Sequence, residues 1–153
     1  YTPYDGRGFT KTHNLQANGS FSFGVVTPGV YTIIAREEPG TRAVALNNVV
    51  VDASTLRLQD TLKTTGAISG IIHNELGVIA RGLPVCLKGT GYLDTTDRDG
   101  AFSFTAVAPG AYLLATMPVL SARQEDSLTA YDTTLTVSEG GLWDLGIRQL
   151  VAY

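Results

Sequence analysis

One six-residue pattern occurs twice in this chain, as Asn18-Gly19-Ser20-Phe21-Ser22-Phe23 and, 81 positions later, as Asp99-Gly100-Ala101-Phe102-Ser103-Phe104. Asn-Gly and Asp-Gly favour a hairpin with a type I′ turn, because these residues tolerate the positive φ angles of that turn. The two phenylalanines of each copy are two residues apart, so both side chains point to one face of the predicted strand. The pattern therefore predicts two β-hairpins that each bury a pair of aromatic rings.

The similarity continues at the same offset into the next strand. Each copy goes on to a Pro-Gly pair and then a tyrosine, at Pro28-Gly29 and Tyr31 and at Pro109-Gly110 and Tyr112. The Pro-Gly pairs fit the two central positions of a type II turn. Each tyrosine is predicted on the inner face of the strand that follows. Since burial of a large apolar side chain is worth roughly 1.5–3 kcal/mol, these aromatic residues make up a large share of a small core.

Further strands are predicted where apolar runs lie between turn residues. They cover residues 43–51 and 56–62 in the first repeat and 66–72, 83–88, 92–97, 130–137 and 142–150 in the second. With its hairpin strands the second repeat has about seven strands, as in a small β-sandwich. The predicted domains are therefore a partial repeat over residues 1–63 and a complete one over residues 64–153.

The first repeat is incomplete by the template of the second. Only 17 residues precede Asn18; residues 9–15 fit one strand, and nothing matches the 66–72 strand. An unpaired apolar edge promotes association, so we expect a strand from outside this repeat to fill it. Two sources remain open: upstream residues of a longer polypeptide of which this chain is a fragment, or a strand donated by a neighbouring molecule. The tail 144–153 is a candidate donor, and head-to-tail docking would give a filament.

Charge and composition argue against several classes of function. The net charge is −3 without any cluster of Lys and Arg, which speaks against nucleic acid and anionic membranes as partners. The chain also has no apolar run near the roughly 18 residues of a membrane-spanning helix. Its single cysteine, Cys86, alternates with apolar neighbours and is predicted on a strand face, without an internal disulfide.

The second repeat contains a longer set of characteristic motifs. They are Ser69-Gly70-Ile71-Ile72, Gly82-Leu83-Pro84-Val85-Cys86-Leu87, Lys88-Gly89-Thr90-Gly91 and Thr96-Asp97-Arg98-Asp99-Gly100. With the Pro-Gly-x-Tyr segment, they resemble the carboxypeptidase regulatory-like domain, a family with a transthyretin-like (prealbumin-like) sandwich. The resemblance implies an all-β chain of two tandem transthyretin-like Greek-key β-sandwich domains, the first lacking its initial strand or strands. It also implies a bacterial cell-surface or secreted protein.

No catalytic, cofactor or metal site is predicted. The zinc site of a metallocarboxypeptidase needs His-x-x-Glu and a further ligand, whereas this chain has only His13 and His73, neither with that spacing. Asp94, Asp97 and Asp99 are an acidic group that would suit calcium, but a strand follows them where a calcium loop needs another acidic ligand. A turn is therefore the preferred interpretation.

Asn18-Gly19-Ser20 has a second interpretation, because it is also an N-glycosylation sequon. The turn is preferred over glycosylation of Asn18. A sugar-binding site would need exposed aromatic residues that stack on the sugar. The five candidates are scattered along the sequence: Tyr4, Tyr92, Tyr131, Trp143 and Tyr153. The sequence therefore leaves a glycan partner open without placing a site for it.

The leading hypothesis is a non-catalytic structural or adhesive module of an extracellular surface protein. Its partners are other copies of the chain or adjacent domains of the same polypeptide, through the open edge of the first repeat, and strand donation between subunits would give a fibre. The alternative is an accessory or glycan-binding module of a larger secreted hydrolase.

Overall fold

The computed structural model describes residues 12–74, 76–116 and 132–150, and every helix or strand assigned within these ranges is a β-strand. The strands form three separate sheets. The predicted all-β class is therefore confirmed.

The first unit is an antiparallel sheet of order β1-β2-β3. Its strands are β1 (Gly29–Arg36), β2 (Arg42–Val51) and β3 (Lys63–Thr64). β2 confirms the predicted 43–51 strand. The predicted strand at 56–62 is wrong, because residues 52–61 are exposed and residues 52–62 are not in a strand. Of the predicted 9–15 strand, residues 12–15 are not in a strand, and the rest lies outside the described residues.

The second unit has the expected seven strands in two facing sheets. The strands are β4 (Gly66–His73), β5 (Pro84–Leu87), β6 (Leu93–Thr95), β7 (Ala101–Val107), β8 (Gly110–Thr116), β9 (Asp132–Val137) and β10 (Leu142–Gln149). One sheet has the order β10-β4-β7 and the other β6-β5-β8-β9. β4 is the central strand of its sheet, with β10 parallel to it on one side and β7 antiparallel to it on the other. The prediction that the tail 144–153 reaches outward as a donor strand is therefore wrong for residues 144–149, because they pair within the second unit as part of β10.

The core of the second unit lies between these two sheets. Alternate residues of each strand point inward, so that Ile68 and Ile72 on β4 meet Val85 on β5 and Leu114 on β8 in one fully buried cluster. Phe102 and Phe104, Tyr112, Leu135 and Val137 belong to the same cluster. This arrangement is that of a β-sandwich.

Both predicted hairpin turns are present and have the same geometry. The Gly19 N–H donates to the Gln16 carbonyl (2.8 Å), and the Gly100 N–H donates to the Asp97 carbonyl (3.1 Å). The glycines have φ of 79° and 76°, whereas Asn18 and Asp99 are not in the positive-φ region. The predicted type I′ turn is therefore wrong: each loop is a type I turn closed by a left-handed glycine, the three-residue hairpin connection.

The Pro-Gly pairs also occupy equivalent positions but do not form the predicted type II turns. Each proline lies in a bend, and each glycine is the first residue of a strand, β1 or β8. Gly29 is not in the positive-φ region, and Gly110 has a nearly extended φ of 159°, whereas a type II turn needs about +80° at that position. The glycines instead begin the ladders, opposite Val51 and Val137.

The tyrosine that follows makes the same hydrogen bond in both units. The Tyr31 hydroxyl donates to the Thr27 carbonyl and the Tyr112 hydroxyl to the Ala108 carbonyl, each over 2.6 Å and each four residues back. The bond ties the strand start to the segment before it. The two repeats are therefore similar in individual hydrogen bonds as well as in sequence.

Backbone hydrogen bonds join the two units at residues 64 and 65. Thr64 pairs with Arg42 of β2, while its carbonyl accepts from the Gly140 N–H (3.1 Å) in the turn before β10. The Thr65 N–H donates to the Thr41 carbonyl (3.0 Å). Because the same short segment is bonded to both units, the joint between them is structured.

Candidate functional site

The most unusual feature of the molecule is the free edge of β1. Its counterpart β8 lies between β5 and β9, whereas β1 has β2 as its only neighbour among the described strands. In the second unit the Lys88 N–H donates to the Leu113 carbonyl (2.8 Å), so Leu113 presents its backbone groups to β5. The residue equivalent to Leu113 is Thr32. By this equivalence the backbone N–H and C=O of Thr32 point towards the position that β5 fills in the second unit.

The sheet face beside this edge is apolar and only half covered. Leu114 is fully buried, whereas its counterpart Ile33 is only partly buried, and the same difference separates Tyr112 from Tyr31. Burial raises the pKa of the Tyr112 hydroxyl well above its ordinary value, with a smaller contribution from Tyr92. Equivalent side chains are thus buried in the second unit and partly accessible to solvent in the first.

The paired phenylalanines show the same contrast. The rings of Phe21 and Phe23 lie 5.5 Å apart at 65°, and those of Phe102 and Phe104 lie 5.8 Å apart at 58°. Phe102 and Phe104 are buried on β7, whereas Phe21 and Phe23 are half-buried. The predicted strand at Phe21–Phe23 is wrong for the described structure, because no described strand pairs with this segment as β4 pairs with β7.

These side chains surround a cleft of about 750 Å³, which we call the acceptor cleft. One wall is β1, another is the segment from Thr12 to Val26, and a third is the turn between β5 and β6 at Gly89–Tyr92. An apolar floor beside backbone groups that no described strand uses is the arrangement that binds an added β-strand.

Asn18 lies in the exposed hairpin turn. Its side-chain Oδ1 accepts a hydrogen bond from the Ser20 N–H (3.0 Å). This bond stabilises the turn, as the preferred interpretation requires. N-glycosylation of Asn18 stays a prediction.

The acidic residues of the second hairpin have backbone partners. Asp97 Oδ1 accepts from the N–H groups of Ala101 (2.9 Å) and Asp99 (2.8 Å), and these bonds lower the pKa of Asp97. Asp94 Oδ2 accepts from the Ser103 N–H (2.7 Å). Over the described ranges, no cluster of three or more His, Cys, Asp or Glu residues could hold a metal ion. The turn interpretation accounts for these carboxylates.

Cys86 lies on β5, as predicted, and is partly buried. Burial raises the pKa of its thiol, and the nearby Lys88 opposes this to a smaller extent. A thiol with a raised pKa is less ionised and therefore less nucleophilic at neutral pH.

The aromatic residues proposed for sugar stacking have separate locations. Tyr92 packs edge-on against Phe104 and Tyr112, and its hydroxyl donates to the Ala106 carbonyl (2.9 Å), so its ring is partly buried against the core of the second unit. Trp143 lies partly exposed on β10. Tyr4, Tyr131 and Tyr153 lie outside the described residues.

Two residues of interest were not singled out from the sequence, Thr32 at the free edge and Arg148 on β10. Thr32 was detectable in principle, because the offset of the repeat aligns it with Leu113. Arg148 had no sequence signal, since its position depends on a bulge in β10.

Among the described residues no helix is long and apolar enough to cross a membrane. No protein-family model matches this chain, and no curated protein matches it.

Proposed function

We propose that this chain is a non-catalytic structural and adhesive module of an extracellular surface protein, and that its subunits join into a fibre by strand donation. The single observation that carries the proposal is that β1 has only one neighbour among the described strands and lies beside a partly buried apolar face. The second unit supplies the template, because β5 occupies the equivalent edge of β8.

The donated strand is antiparallel to β1 in this proposal. β5 pairs with β8 through Val85↔Thr116, Cys86↔Ala115 and Leu87↔Leu114. Transferred by the repeat offset, a donor strand lies opposite Ile33, Ile34 and Ala35. Its alternate side chains are apolar, since every second residue faces the floor of the acceptor cleft.

The bonded joint between the units supports a mechanical role. Residues 64 and 65 bond to both units, so a pull on one unit is transmitted to the other through backbone hydrogen bonds. The transthyretin-like family and the extracellular location belong to the same proposal, and they rest on the sequence motifs.

Thr32→Pro tests strand donation directly. Proline removes the N–H that points to the free edge, and it is tolerated on an edge strand where that N–H faces away from the sheet. We expect wild-type protein to form concentration-dependent oligomers and filaments in light scattering and electron microscopy, and Thr32→Pro to remain monomeric. Val25→Ser is the matched control, because it changes a 98% exposed apolar side chain that lies off β1.

Two results would contradict donation between subunits. One is compact wild-type monomers at every concentration, and the other is unchanged assembly of Thr32→Pro. If wild-type monomers appear only when the polypeptide is extended upstream of Tyr1, the strand comes from an adjacent domain instead of a second copy.

A further inference from the structure

A groove of about 620 Å³ runs along β9 and β10, the two edge strands on one side of the second unit. We call it the β9–β10 groove, and we propose that it binds an oligosaccharide of acidic sugars. The inference does not depend on the acceptor cleft, because all of the lining residues belong to the second unit.

A bulge in β10 brings the two main binding residues to one face. β10 pairs in parallel with β4, with Trp143 opposite Ile68 and Arg148 opposite Ile72. Between these two pairs β10 therefore advances by five residues and β4 by four. Gly146, with a φ of 60°, is in the bulge that contains the extra residue. On a regular strand residues five apart face opposite sides, whereas here both lie on the side of the buried Ile68 and Ile72.

The spacing fits an extended ligand. Four residues of strand correspond to about 13 Å, so Trp143 and Arg148 can contact different residues of one sugar chain. Trp143 is 42% exposed, which leaves part of the indole free for contact. A flat aromatic surface packs against the apolar C–H face of a sugar ring, as it does against other apolar groups.

Charge favours an acidic ligand. Among the described residues that line the groove, Arg148 is the only one with a charge. The nearby acidic groups do not line the groove: Asp132 forms an ion pair with Lys88 (2.7 Å), and Asp144, opposite the exposed Ser69, lies on the other face of β10. The planar guanidinium of Arg148 can therefore bind a sugar carboxylate through two parallel hydrogen bonds.

The opposite wall supplies neutral hydrogen-bonding groups. Thr133, Thr134 and Thr136 of β9 line the groove, and each hydroxyl can donate and accept. β9 is also at the edge of its sheet among the described strands, so no described strand uses the backbone groups on its outer side. Thr134 and Thr136 share the exposed face of β9, whereas Thr133 is on the face of the buried Leu135, so hydroxyls are present on both sides of this strand. Together with the aromatic surface and the one cation, they match the hydroxyls, C–H face and carboxylate of an acidic sugar chain.

Intrinsic fluorescence gives a direct test, because Trp143 is the only tryptophan of the chain. The probes are an oligogalacturonate, its fully methyl-esterified neutral form, and poly-glutamate of matched length. We expect saturable change in Trp143 emission with oligogalacturonate only. Arg148→Gln should weaken its binding by about tenfold to a hundredfold, the effect of losing hydrogen bonds to a charged group.

Calorimetry and matched variants complete the test. Trp143→Ala should abolish the heat of binding. Arg98→Gln and Leu142→Ser should bind as wild type, because Arg98 is a surface cation paired with Asp99, and Leu142 is an 85% exposed neighbour of Trp143 on β10. Absence of saturation at millimolar oligogalacturonate would overturn the proposal. So would equal binding of the methyl ester or of poly-glutamate, or unchanged binding by folded Arg148→Gln.

Discussion

Replacement of Phe104 and of Phe23 by alanine makes the same chemical change at two equivalent positions of the repeat. Phe104 is only 4% exposed and belongs to the core cluster of the second unit, in edge contact with Tyr92 at a centroid distance of 6.5 Å. Phe23 is half-buried beside the acceptor cleft. The two substitutions therefore separate the effect of enclosure from the effect of the side chain itself.

The structure predicts very different losses of stability. Phe104→Ala removes a buried ring and leaves a cavity, which costs about 3–5 kcal/mol. Within that figure, the edge contact with Tyr92 accounts for about 0.5–1.5 kcal/mol. Phe23→Ala gives up roughly half of the burial of one side chain and leaves no closed cavity, so we expect about 1 kcal/mol.

Urea unfolding followed by Trp143 fluorescence is the assay, because this tryptophan reports on the second unit alone. Phe104→Ala should lower the midpoint strongly, and Phe23→Ala should lower it much less, because Phe23 lies outside the core cluster of the second unit. The loss at Phe23, measured by circular dichroism, should rise towards that of Phe104 in assembled protein. Equal losses in the monomer, or a loss below about 2 kcal/mol for Phe104, would refute the assignment of inner and outer strand faces.

Three further expectations compare equivalent positions or pH values. Tyr112→Phe should cost about 1–3 kcal/mol in thermal unfolding because it leaves the buried Ala108 carbonyl unsatisfied, while Tyr31→Phe, whose bond is exposed, should have little effect. Gly100→Ala should lower the free energy of unfolding by more than about 1–2 kcal/mol, the strain of a positive φ, because a Cβ there would also lie 2.7 Å from a backbone oxygen of β4. Gly19→Ala should lower it by the strain alone, because a Cβ at Gly19 would have nothing within 4 Å. Backbone hydrogen bonds hold the pKa of Asp97 below its usual value. The stabilisation of the fold by this carboxylate is therefore present at neutral pH and is lost as the pH falls through the lowered pKa. The difference in urea midpoint between wild type and Asp97→Asn should vanish in strong acid.

The location of the strands could be predicted well where one face is buried. The alternation of Phe102 and Phe104, and of Tyr112 and Leu114, gave correct inner faces because the facing sheet encloses them. The same alternation at Phe21 and Phe23 predicted a strand that the described structure lacks. Side-chain pattern indicates which face a segment would bury, but a strand also needs a neighbour for its backbone groups.

Turn types were predicted less well than turn positions. Both kinds of turn need a residue in the left-handed conformation at positions 19 and 100, where the sequence has glycine. The sequence therefore predicts where the chain reverses direction. Whether the residue before each glycine also takes a positive φ depends on which backbone groups close the turn. In both turns the glycine N–H donates to the carbonyl three residues back, as Gly100 does to Asp97, and the dipeptide alone does not encode this choice.

The sequence by itself determined the all-β class, the repeat at an offset of 81 residues and the inward position of the second-unit aromatic residues, because these depend on local periodicity and turn chemistry. Tertiary structure alone decided that β2 is the only neighbour of β1 among the described strands and that Trp143 and Arg148 share a face. The physical reason is that an edge is defined by which strands pair, and a face beyond a bulge by how far one strand slips against its neighbour. Both are relations between distant parts of the chain.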